Sequence, residues 1–201
     1  MSSTHAIGKL FLKSSSSEQM LEQTTISGNS NGLTGQVSCH NFRQILILNT
    51  ATLRSFAIQP GELRENVLVD FDELYDLPSG TEIEIGTLKV RLTFHCEPCK
   101  KVAHLASPKA LVHQRGYLGT ILNFGNASIG DSLSLIGKMH EAVPYEPFDR
   151  VKWFLDKTEQ QVTAIELTSA IALRRTYCRV LPRYLKRLGS KYASKVVFAS
   201  H

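Results

Sequence analysis

Residues 81–94 read Thr81-Glu-Ile-Glu-Ile-Gly-Thr-Leu-Lys-Val-Arg-Leu-Thr-Phe94, and their alternation decides the fold class. Ile83 and Ile85, then Leu88, Val90, Leu92 and Phe94, occupy every second position, so each set lies on one face of an extended strand. Gly86-Thr87 between them is a two-residue hairpin connection. The pattern recurs downstream in Gly119–Gly125 and Asp131–Ile136, separated by Asn126–Gly130. Upstream, His5–Lys13 and Glu65–Asp70 read as strands, and Gln44-Ile-Leu-Ile-Leu48 is an apolar run of the kind that is buried on both faces. Thr50–Phe56 reads as a short helix, Pro60-Gly61 as a turn, and 100–113 as a further helical stretch. The Ser-, Asn- and Gly-rich residues 14–35 read as a long loop. Many short strands at close spacing predict a mainly β protein, a closed or nearly closed barrel over residues 5–138.

After Lys138 the texture changes. Pro144–Pro147 reads as a linker into a small helical domain over 144–199. Phe148–Asp156 has helical spacing, and Thr163-Ala-Ile-Glu166 fits a capping box that starts a helix over 164–171. A longer helix over 174–188, interrupted near Pro182, and a last strand at Lys195–Phe198 complete a helix-turn-helix or winged-helix pattern.

The chain has 201 residues, of which 42% are hydrophobic and 20% charged, as in an ordinary globular protein. No apolar run approaches the ~20 residues of a membrane helix, and Gly8–Lys13 is too short for a signal-peptide core, so a cytoplasmic protein without a membrane partner is expected. Four cysteines, at 39, 96, 99 and 178, do not make a disulfide framework. The net charge of +5 is uneven: from Arg174 to the end there are eight basic residues and no Asp or Glu, whereas the remainder carries 15 basic and 18 acidic. Such asymmetry points to an anionic partner. Arg175, Arg179, Arg183 and Arg187 recur at four-residue spacing and form one basic stripe suited to a DNA backbone.

From the residues alone, Cys96-Glu-Pro-Cys99 has several readings: half of a zinc site, a redox pair, or small buried apolar side chains. No second Cys-x-x-Cys follows to complete a zinc site, and the flanks lack the βαβ setting of a thioredoxin-like motif.

A wider frame surrounds that motif. Gly32-Leu-Thr-Gly35, Arg43–Leu48, Pro60–Val69, Leu77–Gly86, Cys96-Glu-Pro-Cys99, Arg115-Gly116 and Ile129-Gly-Asp131 occur in an order that resembles the MOSC domain, the module at the C-terminal end of molybdenum cofactor sulfurases. The resemblance covers about two thirds of the chain. It departs at Gln36, where relatives usually carry Asp.

The resemblance implies a β-barrel that binds molybdenum cofactor (molybdopterin) or carries sulfur through its cysteine, which falls on Cys99. It also implies a molybdenum-dependent oxidoreductase acting on N-hydroxylated compounds, with a small-molecule substrate and an electron-donor protein, or a sulfur transferase. Cys99 would ligate the metal and act in catalysis, while Arg43, Arg64, Asn66 and Arg115 would hold the pterin and its phosphate. A non-catalytic ligand-sensing regulator that binds DNA is the alternative reading. A fainter resemblance links Val162–Leu185 to the winged-helix part of alkyltransferase-like proteins; the Pro-Cys-His-Arg acceptor motif is absent, which disfavours alkyl transfer to Cys178.

Overall fold

Strands β1 (His5–Leu12), β2 (Leu21–Gln23), β3 (Thr25–Asn29), β4 (Gly32–Leu33), β5 (Ile45–Asn49), β6 (Val67–Val69), β7 (Thr81–Ile85), β8 (Leu88–His95), β9 (Tyr117–Ile121), β10 (Gly125–Ser128) and β11 (Ser132–Met139) build the first part of the chain. The computed structural model describes residues 5–13, 19–36 and 40–198. The protein divides into two units, Met1–Cys39 with Arg43–Ala142, and His40–Phe42 with Val143–His201.

In the first unit the strand order β11-β7-β8-β9-β5-β6-β1 returns to β11, which makes a closed seven-stranded barrel with β2 attached beside β1. Neighbours run antiparallel except β5 and β6, which pair in parallel. The decisive hairpin forms as its sequence predicts, Ile85 opposite Leu88 and Ile83 opposite Val90. Gly86 sits at φ +59, and a Cβ there would lie 2.6 Å from the Asn126 carbonyl oxygen, so the turn requires glycine. Ile7, Ile47, Val67, Val69, Ile83, Ile85, Val90, Leu92 and Leu133 fill one core cluster. Each such side chain contributes about 1.5–3 kcal/mol on burial, so a one-residue slip of any strand costs many kcal/mol and the register is fixed.

Alternate residues of the parallel pair serve a second cluster, in which Leu48 and Leu68 pack with Leu53 and Ile58, Leu63, Val102 and Leu111. Helix α1 (Thr50–Phe56) supplies Leu53 and begins on the Asn49 side chain, which accepts from the Ala51 amide. With clusters on both sides, all five residues of β5 are buried.

Two expectations are corrected in this unit. Residues 14–35 are not one loop: β2, β3 and β4 lie there, and β3 pairs with both β4 and β10. Its residues 14–18 lie outside the described part. The stretch 100–113 is a chain of turns rather than a helix, with Leu105 N–H donating to the Val102 carbonyl and Ala110 to Ser107.

The second unit holds α2 (Pro147–Lys157), β12 (Val162–Thr163), α3 (Ala164–Ala170), α4 (Leu181–Leu188), α5 (Ser190–Ala193) and β13 (Val196–Val197). Thr163 and Glu166 form the expected capping box. The helix expected over 174–188 is divided: Arg175–Arg179 is a 3-10 turn, and α4 starts at Leu181 because Pro182, lacking an N–H, fits a first turn and not an interior. Strands β12 and β13 pair in parallel at two positions, so they are not a hairpin. Arg150 is fully buried and donates to the Ile171 and Tyr145 carbonyls, at 3.2 and 3.1 Å. Lys195 Nζ donates to the Leu155 and Thr158 carbonyls at the end of α2, a cation at the negative end of the helix. Among the described residues, no helix is long and apolar enough to cross a membrane.

Candidate functional site

The Cys96–Cys99 stretch begins where β8 ends. The Cys96 amide donates to the Gly116 carbonyl at 2.8 Å, carrying the β8–β9 pairing one step further before the chain leaves the sheet. It returns at Arg115-Gly116, and Gly116 stands at φ +97 with room for no Cβ, the Ile47 carbonyl oxygen being 2.8 Å from where one would lie. Val102 and Leu111, both fully buried in the second cluster, anchor the intervening turns. Cys99 is half-buried against that same cluster, and its carbonyl accepts from Val102 N–H at 3.1 Å.

Cys96 is the better held of the two thiols. It is 4% exposed, and Arg115 Nη1 donates to its Sγ at 2.9 Å and to the Glu97 carbonyl at 2.8 Å. Arg115 Nη2 reaches the Leu63 carbonyl at 3.4 Å. Arg43 pairs with the Glu97 carboxylate and lies 5.1 Å from the Phe94 ring centroid. Burial pushes the Cys96 thiol up, and the Arg115 and Arg43 guanidiniums offset that only in part. Cys96 is therefore a shielded thiol, whereas Cys99 is the sulfur within reach of solvent.

Arg64, Glu65 and Asn66 lie beside this network on the approach to β6. Arg64 is half-buried at φ +69, and its amide donates to the Gly61 carbonyl at 3.0 Å. Asn66 is buried and stitches the barrel: its Oδ1 accepts from Leu46 N–H at 3.0 Å, and its Nδ2 donates to the Phe11 carbonyl at 3.1 Å and to Gln36 Oε1 at 2.5 Å. Gln36 thus uses its side chain on Asn66.

Glu65 is fully buried, and Gly61 N–H donates to its Oε1 at 2.6 Å. Its Oε2 and the Arg115 Nε are both buried with no hydrogen-bond partner among the described residues. An unused acceptor and an unused donor in this region suit a polar ligand group or water. With the sulfur of Cys99 three residues after the Arg115-held Cys96, the residues fit a pterin-bound metal that takes a thiolate ligand in donor chemistry.

Burial pushes the Glu65 carboxyl above its usual range, and the Gly61 amide, its own amide and Arg115 counter this incompletely. The folded protein therefore holds that proton more tightly than the unfolded chain does. The resulting stability is present at acid pH and is lost as pH rises from the ordinary glutamate value of ~4.3 through the raised one. Glu65→Gln is expected to remove this slope, so urea midpoints of variant and wild type should diverge in the variant's favour between acid and neutral pH. Parallel profiles would show that Glu65 is ionised at no such cost.

Three groups here were not singled out from the sequence: Glu97, Glu65 and a histidine pair. His95 Nε2 lies 3.1 Å from the Tyr75 carbonyl, which can only accept, so His95 carries its proton there. His95 Nδ1, 2.8 Å from His113 Nδ1, is then the acceptor of the His113 N–H. Burial followed by His113 lowers the His95 pKa, in keeping with a neutral ring. Glu65 and Glu97 stood inside the quoted stretches Pro60–Val69 and Cys96-Glu-Pro-Cys99, but the pairings of Glu97 and of the histidines join residues 54 and 18 positions apart.

The structure thus brings together Cys96, Arg115, Glu97 and Arg43, with Cys99 at the edge. Arg175, Arg179, Arg183 and Arg187 are exposed in the second unit. Among the described residues, no group of three or more His, Cys, Asp or Glu is placed to hold a metal ion.

Residues 29–134 match the family model of the MOSC domain. No curated protein matches the chain. Among solved structures, the YuaD protein from Bacillus subtilis is 16% identical, with a TM-score of 0.58, over 67% of this chain and 97% of that one. YiiM from Escherichia coli is 14% identical, with a TM-score of 0.56, over 92% of this chain and 93% of that one. YiiM from Geobacillus stearothermophilus is 15% identical, with a TM-score of 0.59, over 90% of this chain and 99% of that one. At these identities the likeness is one of fold, and with the two YiiM structures it extends past the barrel.

Proposed function

We propose that this chain, which belongs to the MOSC domain family, binds molybdenum cofactor and uses Cys99 as the thiolate ligand of its metal. The family is associated with molybdenum-cofactor binding or sulfur carriage. The observation that supports this reading is the division of labour between two thiols three residues apart. Cys96 is shielded and bonded to Arg115, and Cys99 is half-exposed on turns anchored by Val102 and Leu111. A ligand thiol must be positioned yet reachable, and Cys99 meets both conditions.

Arg43, Arg64 and Arg115 are the guanidiniums that would hold the pterin phosphate, Arg43 in place of its pairing with Glu97, while Asn66 braces the barrel beside Arg64. Arg115 also holds the Cys96 sulfur and the Glu97 carbonyl, which orients the start of the turn that carries Cys99. When bound, the cofactor supplies the two-electron reduction that removes oxygen from an N-hydroxylated compound. That activity draws on a small-molecule substrate and an electron-donor protein. Carriage of a sulfur atom on Cys99 is the other outcome open to the same thiol.

The test is elemental analysis and intact mass of the full chain purified from a cofactor-producing host. Molybdenum in constant ratio to protein, with reduction of an N-hydroxylated substrate by a supplied electron donor, is the expected result. Absence of molybdenum together with an extra sulfur atom on Cys99 would replace cofactor binding by sulfur carriage. Absence of both would end the reading.

A further inference from the structure

The second unit presents a surface that none of the barrel chemistry uses. Helix α4 buries Leu181 and Leu185 and half-buries Tyr184 and Leu188. At 100° per residue, Arg183, Lys186 and Arg187 fall on the opposite side, and all three are exposed. Arg174, Arg175 and Arg179, in and before the 3-10 turn that leads into α4, are exposed as well.

These cations are unneutralised. Arg174, Arg175, Arg179, Arg183 and Lys186 have no carboxylate within ion-pair distance among the described residues. Two acids of the same unit are occupied elsewhere: Asp156 holds Lys152 and the Tyr192 hydroxyl, and Glu166 closes the capping box on Thr163. Arg187 lies 4.3 Å from the centroid of the Phe148 ring, which braces its guanidinium. Like charges three and four residues apart on a helix repel by ~0.2–0.5 kcal/mol per pair, a strain that bound phosphates relieve.

The chemistry of the face selects its partner. Five of the six cations are arginines, whose planar forks match phosphate oxygens bidentately. Insertion into a membrane would require the apolar side of α4 to be free to enter lipid, and that side is the packed core of the unit. Single strands would require exposed rings for base stacking, and Tyr177 and Tyr184 pack inward. Arginines carried by the 3-10 turn and by α4, with Tyr177 and Tyr184 turned inward, fit the phosphates of a duplex.

We infer that the second unit binds double-stranded DNA through its phosphate backbone, using Arg174, Arg175, Arg179, Arg183, Lys186 and Arg187. The inference is independent of cofactor binding by the barrel.

The experiment is titration of the full chain with a random-sequence duplex at several salt concentrations. Binding at low salt is expected, with a log–log slope of about −0.9 per phosphate engaged. Combining Arg175→Ala, Arg179→Ala and Arg183→Ala should flatten the slope by roughly 2–3 and weaken binding at every salt concentration, because three contacts are lost. These side chains are exposed, so the fluorescence of Trp153, the only tryptophan, should report an unchanged unfolding midpoint. Cys99→Ala should bind DNA like the wild type. No binding at low salt, equal binding by the triple variant, or capture by phosphatidylserine vesicles without DNA binding would each overturn the inference.

Discussion

Cys99→Ala is expected to yield a folded protein with no molybdenum. The thiol is half-buried and has one neighbour cluster, so its loss removes little more than one small apolar contact, about 1 kcal/mol. The loss at the metal is of another order, because Cys96, the next thiol in the chain, is buried and held by Arg115. Cys96→Ala should act in the opposite proportion. It removes a buried sulfur and one hydrogen bond of Arg115, which still holds the Glu97 carbonyl, so stability falls while metal is retained in part. A change in such a supporting contact typically costs 10–100-fold in metal affinity rather than all of it. Elemental analysis of the two variants beside wild type separates these roles. Equal molybdenum in wild type and Cys99→Ala would remove Cys99 as the ligand.

Arg150→Met should unfold the second unit far below the wild-type midpoint. Replacing a buried charge by an apolar side chain is often harmless when its partners change with it. Here the partners are the backbone carbonyls of Tyr145 and Ile171, which no substitution removes. Methionine fills much of the volume but leaves both acceptors without their donor, at about 1.5–3 kcal/mol for each lost charged hydrogen bond. The urea transition followed by Trp153, which packs in the same unit, should shift accordingly. A shift worth less than ~0.5 kcal/mol would mean that the carbonyls find other donors.

The barrel was legible because its strands are written locally: the alternation over 81–94 and the doubly buried run 45–48 each have one reading. The small sheet of β3, β4 and β10 was not. Gly28 pairs with Gly125 across the sequence, and nothing in the polar run around Gly28 announces a partner that distant. The stretch 100–113 misleads for a different reason. Val102, Leu105 and Leu111 imitate helical spacing, but Pro108 interrupts it, and the apolar residues serve as plugs for the second cluster. At the site, the cysteines and arginines were visible as residue types. Which thiol is shielded, and that Asn66 spends its amide on Phe11, Leu46 and Gln36, depends on contacts that only the closed barrel creates.

Closure of the ring between β1 and β11 also sets a timetable for synthesis. His5 and Ala6 find their partners only at Leu133 and Ser132, while Leu10–Leu12 are covered earlier by β2. At about 5–20 residues per second, the intervening chain takes roughly 6–25 s to make. For that interval the nascent barrel is an open sheet with half an edge of its first strand bare and its inner face wet, the state from which strands pair with the wrong chain. A ribosome that stalls before Ser132 releases such an open sheet. One that stalls after Ala142 releases a closed ring.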